Sequence, residues 1–262
     1  MSIKKLEKKI SLTGSSLVLK LDGINTNVPQ FLKKDGKNDI SATCETERLM
    51  INTLKDIIPA VIIKPVNYWV CGDVGARQLE KTLKCAKEND MYIIIDWALP
   101  FGEANMLSRF LKEDSACFSL CGDFDALQEI IFSVNKNSGL VFVHLDKNCN
   151  IDKLNQLVLQ AAPLSGYGNL GIYITDIESN KDIRKMLPQG FFLCPWDEKP
   201  AKLKPYFGDD GGGIAFCISL CEGDMLTLSK QEFKTVLLDK TEKYRIKVRK
   251  MQKKIMNNSL LI

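Results

Sequence analysis

The chain has 262 residues, of which 45% are hydrophobic and 26% charged, and it carries a net charge of +4. These values are typical of a globular chain with one large or two small domains, and the apolar runs are too short for a transmembrane helix. His144 is the only histidine, which excludes metal sites built on paired histidines and argues against a Ser-His-Asp hydrolase.

Basic residues concentrate at both ends of the chain. Residues 1–14 and 230–262 are predicted to form basic helical extensions, and solvated amphipathic helices are their simplest interpretation. Docking on an acidic partner, on RNA or on an anionic membrane surface is the alternative. The small overall charge argues against nucleic-acid binding as the main function.

The nine cysteines lie mostly inside apolar runs and include no Cys-x-x-Cys pair. This pattern predicts free buried thiols in a reducing compartment and no structural zinc site. We therefore expect an intracellular protein, in the cytoplasm or, as the alternative suggested by its Lys-rich first turns, in the mitochondrion. No cofactor and no metal are predicted.

Short apolar strands alternate with amphipathic helices along the whole chain. Strands are predicted at residues 16–21, 60–64, 92–96, 115–120, 139–145, 170–175, 190–194 and 214–219. Helices are predicted at residues 45–58, 75–89, 124–135, 151–161, 181–187 and 230–257. The strands are continuously hydrophobic rather than alternating, which indicates a parallel sheet buried on both faces.

About eight βα units in a chain of this length predict a single (β/α)8 TIM barrel spanning residues 1–262, in preference to an open doubly wound sheet. The active sites of such barrels lie where the strands end. Polar residues at the start of ordinary loops give the same pattern, so position alone does not distinguish a site from a loop. The polar residues at predicted strand ends are Asp22, Lys64, Asp96, Asp146 with Lys147, Thr175 and Ser219.

Several short motifs follow one another in a fixed order between about Ser16 and Tyr244. They include Leu21-Asp22, Ile63-Lys64-Pro65, Gly72-x-x-Gly75, Ile94-Ile95-Asp96 and Phe192-Leu193-Cys194-Pro195. In this order the chain resembles the orotidine 5′-monophosphate decarboxylase family, in its longer bacterial and protozoan-type branch. The resemblance implies a TIM barrel, a role in pyrimidine nucleotide metabolism, and a dimer with shared sites.

The resemblance also implies a Lys–Asp–Lys–Asp array, part of which stands in an Asp-x-Lys-x-x-Asp segment. Here that segment reads DWALPF from Asp96 to Phe101. Asp22, Lys64 and Asp96 would be the remnant of the catalytic array, while Ala98 stands in place of the proton-donating Lys and Phe101 in place of the second Asp. Neither replacement can donate a proton or hold a charge.

The same resemblance implies a phosphate-binding Pro-Gly-x-Gly-Ala-Gln-Gly loop, which here reads PWDEKPA from Pro195. Leu220 stands where the family has an Arg that holds the 5′-phosphate. Ser219 and Thr175 are weaker candidates for substrate binding. Residues 211–213 are three glycines that could cradle an anion, although a turn before the last strand is the simpler interpretation.

These observations predict a non-catalytic, decarboxylase-like barrel that acts as a structural or interaction subunit, with a protein partner or a second copy of the chain. Binding of a pyrimidine nucleotide is not expected. The alternative is a divergent orotidine-5′-phosphate decarboxylase, or a related barrel lyase, that works through Asp22, Lys64 and Asp96. A substrate without a phosphate is compatible with this alternative.

Overall fold

The computed structural model describes residues 3–33, 39–97, 115–119, 140–145, 170–175, 182–188, 190–197 and 202–259. Eight strands follow one another in chain order as a closed (β/α)8 barrel, so the predicted fold class is confirmed. The strands are β1 (Leu17–Leu21), β2 (Ala60–Ile63), β3 (Tyr92–Asp96), β4 (Ser115–Ser119), β5 (Leu140–Leu145), β6 (Leu170–Ile174), β7 (Phe191–Pro195) and β8 (Ile214–Ile218).

The described helices include those that the hydrophobic periodicity predicts within the described residues, and one short helix, at Val66–Trp69, that was not predicted. They are α1 (Ile3–Thr13), α2 (Ile40–Leu54), α3 (Val66–Trp69), α4 (Gly72–Glu88), α5 (Ile183–Met186) and α6 (Lys230–Ser259). Helix α2 begins five residues before its predicted start because Asp39 caps it, accepting a hydrogen bond from the Ala42 N–H at 2.7 Å. The helices predicted at 124–135 and 151–161 lie outside the described residues.

One compact unit consists of Lys9–Asp96 and Ile218–Ile246. Its strands β1, β2 and β3 pair in parallel, with Leu21 opposite Ile63 and Ile63 opposite Ile95. Helices α2 and α4 pack against each other and bury apolar side chains that the sequence places on one face, namely Ile51, Leu54, Leu79 and Ala86. The carboxyl ends of the first three strands therefore lie next to one another within this unit.

The other compact unit consists of Met1–Lys8, Trp97–Cys217 and Lys247–Ile262. Strands β4 to β8 pair in parallel with their neighbours. The Phe142 and Phe191 rings meet edge to face at 6.3 Å. A Cβ on Gly171 would lie 2.5 Å from the Phe142 ring, so only glycine leaves room for this aromatic core.

Within the described part of the chain, no helix is both long enough and apolar enough to cross a bilayer. The long α6 has many charged residues on its surface. The two predicted basic terminal segments are helical where they are described, as α1 and α6. The division of the chain into a single domain with two extensions stays a prediction.

Candidate functional site

Three charged residues stand at equivalent positions at the ends of neighbouring strands. Asp22 and Lys64 directly follow β1 and β2, and Asp96 is the last residue of β3. Since Leu21 pairs with Ile63 and Ile63 with Ile95, the parallel register places Asp22, Lys64 and Asp96 side by side, one strand spacing of about 4.8 Å apart. We call these three residues the charged row; the register brings their backbone positions together, while their role in a site stays a prediction.

The members of the charged row differ in burial and in their partners. Asp96 is only 6% exposed, and Lys64 is half-buried. The Asp22 carboxylate pairs with the Lys20 ammonium at 3.1 Å. Lys64 makes no ion pair with any described residue. The charge of Asp22 is therefore partly compensated from its own strand.

Lys20 is a member of the site that the sequence analysis did not single out. It lies two residues before Asp22, and residues at this spacing share one face of a strand. The available signal was a single charged residue inside an otherwise apolar strand, LVLKL. Lys20 adds a second cation next to the charged row.

A buried carboxylate holds the segments that follow β1 and β2. The Glu47 side chain of α2 is fully buried, and its Oε1 accepts hydrogen bonds from the Gly23 N–H and the Thr26 hydroxyl, both at 2.9 Å. Its Oε2 accepts from the Tyr68 hydroxyl at 2.6 Å. One side chain thus ties the loop after Asp22 to helix α3, which begins two residues after Lys64.

Burial of Glu47 also changes its protonation. Desolvation raises the pKa of Glu47 from its ordinary value of 4.5 to about 7, although the hydrogen bonds from Tyr68, Thr26 and Gly23 oppose the rise. Burial, together with the neighbouring Glu47 carboxylate, raises the pKa of Tyr68 well above its usual range. The sequence gives no sign of this group, because a single Glu in an amphipathic helix ordinarily faces solvent.

The Gly72-x-x-Gly75 motif has a structural explanation in the same region. Gly72 has a φ of +61°, a conformation that side chains rarely adopt. A Cβ on Gly75 would lie 1.8 Å from the Tyr68 carbonyl oxygen. The second glycine therefore lets α4 approach the backbone of α3, the helix whose Tyr68 hydroxyl binds Glu47.

The segment after β7 contains an aromatic ring and a carboxylate. The Trp196 backbone N–H donates to the Cys217 carbonyl at 2.9 Å, and the Trp196 and Phe216 rings meet edge to face with their centroids 5.9 Å apart. Asp197 pairs with Lys202 at 3.8 Å. Backbone amides that bind a phosphate need small neighbouring side chains and no negative charge nearby. Trp196 is large and Asp197 is negatively charged, so this segment does not meet either condition. Residues 198–201 lie outside the described residues.

The segment after β8 packs into the core. Leu220 is 1% exposed, and the Cys221 carbonyl accepts a hydrogen bond from the Asn27 side-chain amide at 3.0 Å. Ser219, by contrast, is exposed. Thr175, directly after β6, is also exposed. The binding roles of Ser219 and Thr175 stay predictions.

The three glycines at 211–213 form a turn in which the first two amides have partners within the turn. The Gly211 N–H donates to the Gly208 carbonyl and the Gly212 N–H to the Asp210 carboxylate, each at 2.8 Å. The Gly213 carbonyl accepts from the Arg184 guanidinium at 2.8 Å. This turn precedes β8, at the end opposite to the one where TIM-barrel sites lie. These contacts support an ordinary turn rather than an anion cradle.

The remaining groups with possible chemical roles are metal-ligand clusters, the histidine and the cysteine thiols. No cluster of three or more His, Cys, Asp or Glu that could hold a metal occurs among the described residues. The His144 and Tyr173 rings lie 4.7 Å apart. Burial raises the pKa values of the Cys44 and Cys221 thiols to about 12, so neither is a ready nucleophile. Asp146, Lys147, Ala98 and Phe101 lie outside the described residues.

Comparison with known proteins gives matches at the level of structure. No protein-family model matches the sequence, and no curated protein sequence matches it. A solved structure assigned as an orotidine-monophosphate decarboxylase, from Toxoplasma gondii, has a TM-score of 0.74 and 17% identity, covering 97% of this chain and 98% of that one.

Two further solved structures agree with this match. The orotidine 5′-monophosphate decarboxylase of Plasmodium berghei has a TM-score of 0.70 and 14% identity, covering 97% of this chain and 99% of that one. The OMP decarboxylase of Leishmania donovani has a TM-score of 0.67 and 18% identity, covering 96% and 99%. The chain therefore has the barrel fold of the orotidine 5′-monophosphate decarboxylases, as the order of its motifs implies.

Proposed function

We propose that the protein is a non-catalytic barrel that acts through its surface, as a structural or interaction subunit. The observation that carries this proposal is the burial of Leu220, at 1% exposure, where the resemblance implies an Arg that holds a phosphate. An apolar side chain in the core cannot bind an anion.

The sequence of the segment after β3 supports the same proposal. Ala98 and Phe101 replace the proton donor and the second carboxylate that the resemblance implies. Lys20 is not a substitute for the lost Lys, because it belongs to β1 and pairs with Asp22 at 3.1 Å. Displacement of a catalytic group by about 1 Å can already cost on the order of 10²-fold in rate.

A divergent decarboxylase or related barrel lyase is the second candidate, and the charged row is the observation that favours it. Asp22, Lys64 and Asp96 lie side by side, and they could hold a small polar ligand without a phosphate. On this alternative, Lys64 is the group that would contact the ligand, since its ammonium makes no ion pair with any described residue.

A thermal-shift titration with UMP and with orotidine 5′-monophosphate tests the proposal. A ligand that binds the folded state at 100 times its Kd stabilises that state by about 2.7 kcal/mol. We expect no shift in Tm with either nucleotide at millimolar concentration. A shift that Lys64→Ala abolishes would instead support the second candidate.

We also propose a reducing compartment, with the cytoplasm first and the mitochondrion as the alternative. The support is that the six cysteines in the described part of the chain, at positions 44, 71, 85, 194, 217 and 221, are all free. Microscopy of the tagged full chain would distinguish the two compartments.

A further inference from the structure

A short chain of hydrogen bonds connects Glu47 to the backbone of Asp22. The Thr26 hydroxyl donates to Glu47 Oε1 at 2.9 Å and accepts the Asp22 N–H at 3.2 Å. The Gly23 N–H donates to the same Oε1 at 2.9 Å. Glu47 therefore holds the backbone of a charged-row residue through one intervening side chain.

The same carboxyl holds the loop after β1 against α3. Its Oε2 accepts from the Tyr68 hydroxyl at 2.6 Å. A Cβ on Gly23, whose φ is +56°, would lie 2.9 Å from the Asn67 carbonyl oxygen, so the 3-10 turn Gly23–Asn25 lies directly against the backbone of α3. We call Glu47, Thr26 and Tyr68, together with the Gly23 N–H, the Glu47 latch.

The charge of an ionised Glu47 has no counter-ion within the described residues. Its side chain is 0% exposed, and no ion pair joins it to any described residue. Arg48, the next residue, instead donates to Gln78 of α4 at 3.1 Å. The nearby Asp22 carboxylate adds a charge of the same sign. A buried carboxylate in this situation is costly even when it is hydrogen-bonded.

Apart from Asp22 and Arg48, the described titratable groups around Glu47 are neutral. Tyr68 faces it from α3 and Cys44 from its own helix. Helix α4 packs against α2, but the charged side chains of α4 are all exposed and its buried titratable group is Cys85. The 3-10 turn Gln30–Leu32, which also contacts α2, has no titratable side chain.

Protonation of Glu47 removes the charge and keeps every hydrogen bond. A protonated carboxyl has one O–H to donate, and the Tyr68 oxygen can accept it while Oε1 still accepts from Gly23 and Thr26. Burial, with a smaller contribution from Asp22, raises the pKa of Glu47 to about 7, so the two forms interchange near neutral pH. At higher pH the carboxylate gains hydration only if the loop moves away from it.

The part of the loop beyond Thr26 is fixed independently of Glu47. The Asn27 side-chain amide donates to the Cys221 carbonyl at 3.0 Å, and the Cys221 thiol donates to the Asn27 carbonyl at 3.1 Å. The Phe31 and Phe233 rings meet edge to face with their centroids 5.7 Å apart. Movement is therefore confined to residues 22–26.

We infer that the Glu47 latch is a pH-sensitive switch, which holds residues 22–26 against α3 while Glu47 is protonated and releases them when Glu47 ionises. Because Asp22 belongs to the charged row, ionisation of Glu47 loosens one member of that row. The inference goes beyond the proposed function, since the latch works in the same way in a catalytic and in a non-catalytic barrel.

Hydrogen exchange resolved to single amides, on the full chain between pH 5 and pH 8, tests the inference. The protection factors of Gly23 and Thr26 should fall by roughly tenfold or more across this range, because the released form binds fewer protons than the closed form. Protection at Leu32 and Lys33, whose amides donate within the anchored part of the loop, should change less. In Glu47→Gln, which cannot ionise, the fall at Gly23 and Thr26 should vanish.

Tyr68→Phe is the second variant, and it tests the inference even if Glu47→Gln does not fold. Burial raises the pKa of Glu47 and the Tyr68 hydroxyl opposes the rise, so without this hydroxyl the fall in protection should extend to higher pH. A contact with a structural role alone would lower the protection equally at every pH.

Three results would overturn the inference. The first is a protection of Gly23 and Thr26 that does not depend on pH. The second is the same fall in Glu47→Gln as in the unmodified protein. The third is an equal fall at Leu32 and Lys33, which would show that pH acts on the whole fold. Decarboxylation of orotidine 5′-monophosphate, assayed separately, would contradict the proposed function without affecting this inference.

Discussion

Two groups of strand ends in the barrel carry different side chains. One group is the carboxyl ends of β1, β2 and β3, and the other is those of β7 and β8. The first three strands end in the charged row, with Lys20 beside it and the buried Glu47 holding the adjacent segments. Strand β7 continues into Trp196, which packs on Phe216, and β8 into the buried Leu220. By the resemblance, the first region would act on the reacting group and the second would hold a phosphate.

On the proposed function, this difference means that a barrel would keep its framework while one ligand site is lost. Strand ends in the second region include two apolar side chains, Trp196 against Phe216 and the buried Leu220, and burial of such side chains stabilises the fold. Those in the first region still carry charges, whose desolvation costs free energy unless a partner compensates them. The predictions that follow test whether each region is built as described.

The largest effect is expected at the glycine beneath the first region. Gly75→Ala places a Cβ 1.8 Å from the Tyr68 carbonyl oxygen, so α3 and α4 must separate, and we expect a loss of roughly 4 kcal/mol or more in the free energy of unfolding. Denaturant unfolding measures it. Gly72→Ala is the control: nothing lies within 4 Å of its Cβ, and only its positive φ costs about 1 kcal/mol. Equal losses in both variants would contradict the close approach.

The next effect is a pH dependence that comes from Glu47. Because its pKa in the fold is raised to about 7 from 4.5, its contribution to stability is fully present below pH 4.5 and is lost as the pH rises through 7. The loss is roughly 3 kcal/mol. Glu47→Gln keeps acceptors for Gly23 and Thr26 but cannot ionise, so the variant should not show this loss.

Chemical unfolding of both proteins from pH 5 to pH 8 measures the effect of Glu47. The free energy of unfolding of the unmodified protein should fall relative to that of the variant across this range. Parallel profiles would show that Glu47 does not titrate in the fold. A large, pH-independent destabilisation of the variant would show that the Tyr68 hydroxyl needs the carboxylate itself.

The second region can be tested at Leu220. If this side chain is part of the core, as its 1% exposure indicates, Leu220→Ala should destabilise the protein by about 2–3 kcal/mol. Leu226→Ala, at a half-buried position nearby in the chain, should cost less. A loss below about 0.5 kcal/mol at Leu220 would mean that it covers an open ligand position instead.

The smallest effect is expected at the Lys20–Asp22 pair. The two side chains are 38% and 23% exposed, so solvent screens their attraction, and a coupling energy below about 1 kcal/mol is expected. A double-mutant cycle with Lys20→Met and Asp22→Asn measures this quantity in urea unfolding. A coupling above about 2 kcal/mol would mean that the charged row is a desolvated array of the catalytic kind.

Much of the fold follows from the sequence because strand burial and helix periodicity are local patterns. The strand at 92–96 was predicted to the residue, and the charged row followed from the ends of three such strands. Glu47 and Lys20 could not be assigned in the same way. Whether a Glu on an amphipathic helix is buried depends on Gly23 and Tyr68, which are distant in the chain. The Lys20–Asp22 pair is local, and its one signal was a single charged residue in an apolar strand.

Direct measurement of orotidine 5′-monophosphate decarboxylation by the purified chain tests whether the barrel is catalytic. The loss of the orotate absorbance is followed over hours at high protein concentration, with an active decarboxylase added at the end to show that the substrate is competent. We expect a rate no different from that of buffer, since Ala98 and Phe101 can neither donate a proton nor hold a charge. A rate far above buffer that Lys64→Ala abolishes would contradict this expectation and would make the charged row an active site.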